Sequence, residues 1–497
     1  MKSLSNVLLV SAPATVSIDE PSYSISPPLG LAYVAAVLEQ AGHSVEILDC
    51  TASALRNRKR TGQHVQLGLS WREIQEEVRT RKPEIVGVGC PFTCQANNAH
   101  KVAEIVKHVD PEIPVVFGGA HPSSVRVETL QDRNVDFLVI GEGEYTFRAL
   151  VDSLGQGRPV DRLDGLGFKE RDRIKFTPKS QFVENLDELP FPARHLLPMR
   201  EYLASDKTRR AVETFPGPAT TMITSRGCPG RCTFCSIHSV WGYKWRARSP
   251  SNVADEVEQL VEEYGIRHIL FEDDNISLDK QRMHEICDEI ISRRFDISWS
   301  TPNGVSIATL DRALLAKMKN SGCHSISLGI ESGNEHVLNQ IVRKNLSLGI
   351  VRKVVKLARE ADIQVTGFFV LRMPGETLVT LKETIEFAKS LDLDWAYFFI
   401  ATPYPGTELY KICKSNGYLN ETDRTKLNPH FPAIETELLS AEDVQKYHRR
   451  AYYEFFVHQF TSHPLRYLRK TRMLRNIMSI YFNYIWHRSL SLALRQT

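Results

Sequence analysis

The chain has 497 residues, with 62 Lys and Arg against 59 Asp and Glu and a formal net charge of +3. That length implies two or three domains, each with its own core, and so even a balance exerts no general pull on nucleic acid. Nine cysteines, three of them clustered, do not make a disulfide framework, which points to a reducing, cytoplasmic setting. No stretch has the eighteen or so uninterrupted apolar residues of a membrane span.

The opening MKSLSNVLLVSAPAT has an apolar run without the long core or cleavage site of a signal peptide, so Asn6 to Ala12 is expected as a first strand. Leu29 to Ala41 carry helical apolar spacing, Gly42 stops them, and Val45 to Leu48 form the next strand. The alternation continues with a helix at Trp71 to Arg79, a strand at Ile85 to Gly89 and a helix at Asn98 to Val109. Strands at Val115 to Phe117 and Phe137 to Ile140 follow, then a helix at Tyr145 to Leu154. Such alternation predicts a doubly wound, Rossmann-like parallel sheet.

Sheets of this kind bind ligands beyond the carboxyl ends of their strands. Two such ends are FGGAHPSS (Phe117 to Ser124) and IGEGE (Ile140 to Glu144). Their glycines, Gly118, Gly119, Gly141 and Gly143, either admit a large flat ligand close to the backbone or serve tight turns. Residues 156–215 include a short β-like passage, Leu166 to Lys175, and the proline-rich NLDELPFPARHLLPMREY, and are expected as a linker.

From Thr220 the alternation restarts. Strands are expected at Thr220 to Thr224, His268 to Glu272, Ile297 to Thr301, Ser325 to Ile330, Val365 to Leu371 and Trp395 to Ala401, each followed by a helical pattern. Six β–α units make a partial barrel with its polar strand ends at one mouth. Directly after the first strand lies TTMITSRGCPGRCTFCSIHS, with Cys228, Cys232 and Cys235 at spacings of four and three. A 4Fe-4S cube has four irons to ligate, so three thiolates leave one iron open. The competing reading is a zinc site completed by His238.

This spacing, with Phe234 before the third cysteine and a β–α barrel around it, resembles the signature of the radical S-adenosylmethionine (SAM) enzymes. The two glycine loops ahead of it resemble the cobalamin-binding domain of one large subgroup, as does LDELPFPA before the barrel. The resemblance implies a 4Fe-4S cluster on Cys228, Cys232 and Cys235, with the open iron holding SAM. It implies SAM contacts from Phe234, from Glu272, Asp273 or Asp274 in FEDDN, from Glu331 and Ser332 in GIESGNE, from Arg343 in the following helix, and from Gly375 in MPGET. On the cobalamin side it implies Gly118, Gly119, His121, Pro122, Ser123, Gly141, Glu142 and Gly143. The Asp-x-His-x-x-Gly pattern is absent around His121, so no histidine is expected on the cobalt.

The expected organisation is a cobalamin-binding domain (1–155), a linker (156–215), a partial (β/α)6 barrel (216–430) and a C-terminal helical extension (431–497). The expected activity is methyl transfer to an unactivated carbon, with one SAM methylating cobalamin and another supplying a 5′-deoxyadenosyl radical. A cyclase or oxidative reaction like that of the anaerobic magnesium-protoporphyrin ester cyclases is the rival, and a cobalamin sensor is the rival outside enzymes. A flavodoxin or ferredoxin is the expected electron donor. Lys244, Arg246 and Arg248, interleaved with Trp241, Tyr243 and Trp245, are expected to form a loop covering cofactor or substrate. From Arg466 onward the chain is basic, with Leu474, Ile477, Met478, Tyr481, Phe482, Ile485 and Trp486 at helical spacing. That helix either packs on the barrel or lies on an anionic membrane, the latter suiting a lipid, isoprenoid or tetrapyrrole substrate.

Overall fold

The computed structural model describes residues 5–17, 25–52, 57–62, 64–171, 173–203, 217–419 and 427–464. The N-terminal part contains β1 (Asn6–Ser11), β2 (Ala14–Ser17), β3 (Ser44–Asp49), β4 (Arg58–Thr61), β5 (His64–Leu67), β6 (Ile85–Gly89), β7 (Val115–Gly118), β8 (Phe137–Val139), β9 (Leu166–Glu170) and β10 (Arg173–Phe176). Seven of them form one sheet in the order β10-β9-β8-β7-β6-β1-β3. The five from β8 to β3 run parallel.

The apolar run in β1 feeds two cores, since successive strand side chains point to opposite faces. Leu8 and Val10 enter the core on one face, and Val7 and Leu9 the core on the other. The helix opened by Ser70 has a capping box with Glu73 and runs from Trp71 to Arg81, two residues past the expected end. It stops at Lys82, which is left-handed (φ 45°) just before Pro83. Two features depart from expectation. β2, β5 and β4, each only four residues long and so too short to show a clear alternation, form a small antiparallel sheet. The β9–β10 hairpin, placed in the linker by sequence, pairs with β8 and extends the first sheet.

The second part contains β11 (Ala219–Met222), β12 (Ser225–Arg226), β13 (Arg246–Ala247), β14 (His268–Phe271), β15 (Ser298–Thr301), β16 (Cys323–Glu331), β17 (Gln364–Leu371) and β18 (Trp395–Ile400). Six stand in chain order, β11-β14-β15-β16-β17-β18, every pair parallel. These are the six strands expected from sequence, and β11 and β18 are the two edges of an incomplete barrel. The helix Ala441–Ser462 packs on the outside of β18, where Tyr452 lies edge-on to Phe398 at 5.3 Å. Gln459 Nε2 donates to Leu391 O at 3.0 Å. This part of the C-terminal extension therefore belongs to the barrel core. The basic stretch from Leu474 to Trp486 lies outside the described residues. Among those described, no helix is long and apolar enough to cross a membrane.

The carboxyl ends of the two sheets meet. Gly406, in the loop after β18, lies so close to Ser124 that a Cβ would sit 3.0 Å from its Oγ. Gly141, after β8, lies against Val240, where a Cβ would sit 3.1 Å from the carbonyl oxygen. Both glycines have positive φ, 88° and 72°, so close approach and backbone conformation each require glycine.

Candidate functional site

The three cysteines sit in a long loop between β12 and β13, which pair antiparallel, Ser225 with Ala247 and Arg226 with Arg246. Gly227 (φ 82°) closes its base, where a Cβ would lie 2.3 Å from Lys244 O. The loop is pinned across the barrel mouth by Thr233, whose N and Oγ1 donate to Val342 O and Ile341 O, both at 3.0 Å. Leu409 N in turn donates to Thr233 O at 2.8 Å.

All three cysteines are partly buried. Burial, aided by the neighbouring thiols and Asp274, pushes Cys235 up to about 12, and burial also raises Cys232. Binding iron requires expelling these protons, which couples cluster assembly to pH. His238 is occupied elsewhere: Nε2 lies 3.1 Å from Cys228 O, and the ring stacks on Tyr243 at 3.9 Å and 16°. Among the described residues no three His, Cys, Asp or Glu side chains converge as ligands of a single ion do. With His238 turned to a carbonyl, the three thiols form a donor set of the kind that holds an iron–sulfur cluster.

Around the barrel mouth the sequence candidates separate. Phe234 packs in a small apolar cluster with Ile341, Val370, Met373 and Ala401. Glu331 ends β16 in the left-handed region (φ 69°), and its Oε1 accepts from Lys344 Nζ at 2.9 Å. Gly329 makes room for that pair, since a Cβ there would lie 2.7 Å from Glu331 Oε1 and 2.9 Å from Lys344 Nζ. Arg343, expected in a helix, instead lies beyond the π-helical turn Val337–Ile341, left-handed (φ 62°) and exposed. Its neighbour Lys344, missed by sequence, is the cation that faces Glu331 and the cysteines. Ser332 is fully buried, with Oγ 3.1 Å from Thr384 Oγ1 and accepting from Asn334 N at 3.2 Å. That local network holds the turn. Gly375 (φ 100°) packs against Ile341.

The three acids of FEDDN also separate. Asp273 is fully buried and accepts from Thr224 N at 3.1 Å, Thr224 Oγ1 at 2.8 Å and Ser225 Oγ at 2.5 Å. It ties the end of β14 to that of β11. Glu272 is half-buried, and its N–H donates to Met222 O at 2.8 Å. Asp274 faces the cysteine loop, has no ion-pair partner among the described residues, and is pushed up to about 7 by burial and then by the Asp273 charge. A carboxylate so placed has the chemistry to receive an ammonium. Asp274→Asn is expected to weaken SAM binding about tenfold or more with little change in melting, whereas Asp273→Asn lowers the melting temperature. Equilibrium dialysis with labelled SAM beside thermal melts checks this, and the reverse pattern would reassign the ammonium site to Asp273.

On the N-terminal side, Gly119 (φ 116°) passes so near Cys90 that a Cβ would lie 2.8 Å from its carbonyl oxygen. A Cβ on Gly118 would meet nothing within 4 Å, which leaves the open backbone face a broad ligand needs. His121 is buried, with Nδ1 3.1 Å from Thr93 Oγ1. Pro122 and Ser123 are buried too, and Ser123 Oγ accepts from Gly141 N at 2.9 Å, joining the two loops. Gly143 lies beside Val139.

Glu142 departs from expectation. Its Oε1 accepts from Arg246 Nη1 at 2.7 Å and approaches Arg226 Nη1 at 3.4 Å, while Oε2 accepts from Val183 N at 2.7 Å. Both oxygens are thus committed within the protein. Arg246 and Arg248, expected in a covering loop, are likewise buried in ion pairs, with Glu142 and with Glu256.

Inside the barrel, Ala396, Phe398 and Ile400 of β18 join the core beneath the helices, so Trp395, Tyr397 and Phe399 lie on the inner face. Tyr397 and Phe399 stack at 5.9 Å and 3°, and Phe368 of β17 meets Tyr397 at 5.8 Å. The indole N–H of Trp395 is buried without a hydrogen-bond partner among the described residues.

Residues 18–151 match the family model of the B12 binding domain, and residues 222–388 that of the radical SAM superfamily. An uncharacterized methyltransferase of Pyrococcus horikoshii is 33% identical over 452 residues, which cover 91% of this chain and 92% of that one. The cytidylyl-2-hydroxyethylphosphonate methyltransferase of Streptomyces wedmorensis is 32% identical over 423 residues, covering 79% of each chain. The solved structure of the radical SAM methyltransferase TsrM from Kitasatospora setae, with cobalamin and a [4Fe-4S] cluster bound, superposes with a TM-score of 0.67 at 19% identity, covering 85% of this chain and 76% of that one. With the thiolate loop facing the two glycine loops across the junction of the sheets, this chain belongs to the radical SAM enzymes that carry an N-terminal cobalamin-binding domain.

Proposed function

We propose that the protein transfers a methyl group from SAM to an unactivated carbon of a small molecule with a flat or apolar part. The carrying observation is the meeting of the two sheet ends, Gly141 against Val240 and Gly406 against Ser124, which brings the glycine loops over the cysteine loop. When bound, the cluster, SAM and cobalamin supply the electron, the hydrogen-abstracting radical and the methyl carrier, chemistry no side chain offers. Cys228, Cys232 and Cys235 would hold the cluster through their thiolates. Asp274 takes the ammonium of SAM, while Lys344, held by Glu331, offers a cation to its carboxylate. Phe234 and Ile341 wall the same pocket. Gly118, beside which nothing lies within 4 Å of a built Cβ, would give the cobalamin ring bare backbone to approach.

Aromatic side chains left half-exposed inside a barrel favour a substrate that stacks, and Phe368, Tyr397 and Phe399 form such a surface. The electron comes from a low-potential carrier of the flavodoxin or ferredoxin type. Anaerobic reconstitution with iron, sulfide, cobalamin and SAM, followed by mass analysis against host extract, is expected to yield one component heavier by a methyl group. S-adenosylhomocysteine and 5′-deoxyadenosine should appear with it. Deoxyadenosine with a product that gains no methyl, and without S-adenosylhomocysteine, would instead mark a cyclase or oxidative reaction.

A further inference from the structure

The loop after β8 reads GEGE, and its two acids are used in a way that a ligand-binding role does not explain. Glu142 and Glu144 are 3% and 4% exposed, and both point across the domain junction. Arg226 Nη2 donates to Glu144 Oε1 at 2.6 Å, and Arg246 Nη1 to Glu142 Oε1 at 2.7 Å. Arg226 and Arg246 are directly paired residues of β12 and β13. Together these two short strands form the stem of the cysteine loop, and Arg226 stands two residues before Cys228.

The arginines are themselves fixed by further contacts. The Arg226 guanidinium lies over Trp241 at 4.7 Å and Tyr33 at 5.2 Å, and Arg246 donates to Trp241 O at 2.9 Å and Val183 O at 2.7 Å. The same β8 loop is tied to the other glycine loop by Ser123, which accepts from Gly141 N.

We propose that Glu142 and Glu144 are positioning residues: they clamp both strands of the cysteine stem to the glycine loops of the N-terminal domain and so set the separation of the two cofactor sites. The argument is geometric. A two-residue antiparallel stem has little pairing of its own to resist rotation. Two charge-assisted contacts, one to each strand, remove that freedom, and buried ion pairs of good geometry specify one arrangement even where they add little net stability. Radical transfer requires such precision, because a misplacement of about 1 Å can cost a hundredfold in rate. This inference rests on the methyl-transfer reading for its catalytic consequence but not for the clamp itself.

The test uses the full chain with Glu142→Asp and Glu144→Asp, which keep the charge and withdraw it by one methylene, and Arg246→Lys as an independent disruption from the other side. In cofactor-free protein, amide hydrogen exchange across residues 226–246 is expected to quicken in all three, while the barrel strands exchange as in the parent. In reconstituted enzyme, 5′-deoxyadenosine formation should persist while methylated product per deoxyadenosine falls roughly tenfold or more. The dipolar coupling between reduced cluster and cob(II)alamin should broaden. Unchanged exchange in the stem overturns the clamp, whatever the enzyme's reaction proves to be. Faster exchange with an unchanged product ratio and dipolar coupling overturns the positioning role. A proportional loss of both products with a lowered melting temperature and unchanged dipolar coupling also overturns it, since support of the fold would then suffice. A parent enzyme that forms no methylated product refutes the reaction assigned above and leaves the exchange experiment valid.

Discussion

Cys232→Ala abolishes formation of both 5′-deoxyadenosine and methylated product while leaving the fold and cobalamin binding in place. The cysteine lies on a loop that is anchored through Thr233, Ile341 and Val342 rather than through its thiol. Its loss should therefore change stability by no more than about 1 kcal/mol, as for most single substitutions away from a core. A cube deprived of one of three thiolates has a second iron without a protein ligand, so reconstitution should yield little of the brown chromophore that the parent shows. Iron and sulfide analysis, visible absorption and product assay are the measurements. Retained cobalamin-dependent turnover in the variant would refute the three-thiolate assignment. If the site held structural zinc instead, the same substitution would unfold the loop, because structural zinc contributes directly to folding. Circular dichroism and the metal content of the parent separate the two cases.

What the amino-acid sequence discloses of this fold and site depends on the range of each interaction. The strands of both sheets announce themselves by apolar alternation bounded by Gly and Pro, and the cysteine loop by spacing alone, since each signal is confined to a few neighbouring residues. The roles of Asp273 and Asp274 are not separable in sequence, because adjacent acids look alike until the chain just after β11 supplies Thr224 and Ser225 to consume one of them. Sequence favours Arg343 over Lys344 because it cannot show that the turn after Ile341 leaves the helical path, where a left-handed residue reverses which neighbour faces the mouth. Glu142 looks like a ligand residue on a ligand loop. Its true partners lie 84 and 104 positions away, and no local pattern encodes such a pairing. The β9–β10 passage reads as β-like in sequence, but only its pairing with β8 shows that it belongs to the first sheet rather than to a linker.

The second large effect concerns the junction at its other end, where Glu256 is expected to be indispensable to the fold. It is fully buried on the helix Pro250–Tyr264, with Oε1 2.6 Å from Arg194 Nη1 of the linker and Oε2 bonded to Arg248 Nη1. The Arg194 contact is close but poorly directed for a hydrogen bond, so its strength is mainly charge attraction. Removing the carboxylate strands two buried guanidinium groups, and breaking a buried pair in this way costs about 3–5 kcal/mol. Against a total stability of about 5–15 kcal/mol for a typical domain, Glu256→Ala should unfold at much lower denaturant or be recovered only as aggregate.

The pH dependence follows from the same carboxylate. Burial alone would raise its pKa, but Arg248 and Arg194 outweigh burial and hold it below the ordinary value. The folded protein then binds fewer protons at this site than the unfolded chain. Its contribution is fully present above the unfolded carboxylate value of about 4.3 and is lost as pH falls through the lower, folded one. Glu144, held low by Arg226 against the same burial, acts in the same direction. Denaturant melts between pH 3 and pH 7 should show parental stability falling at the acid end, and Glu256→Gln, which keeps the shape but cannot titrate, should have a shallower acid limb from a lower plateau. An acid limb of unchanged slope in Glu256→Gln would mean that other carboxylates govern acid unfolding, and parental stability in Glu256→Ala would mean that water reaches the two arginines and the linker is not fastened to the barrel through them.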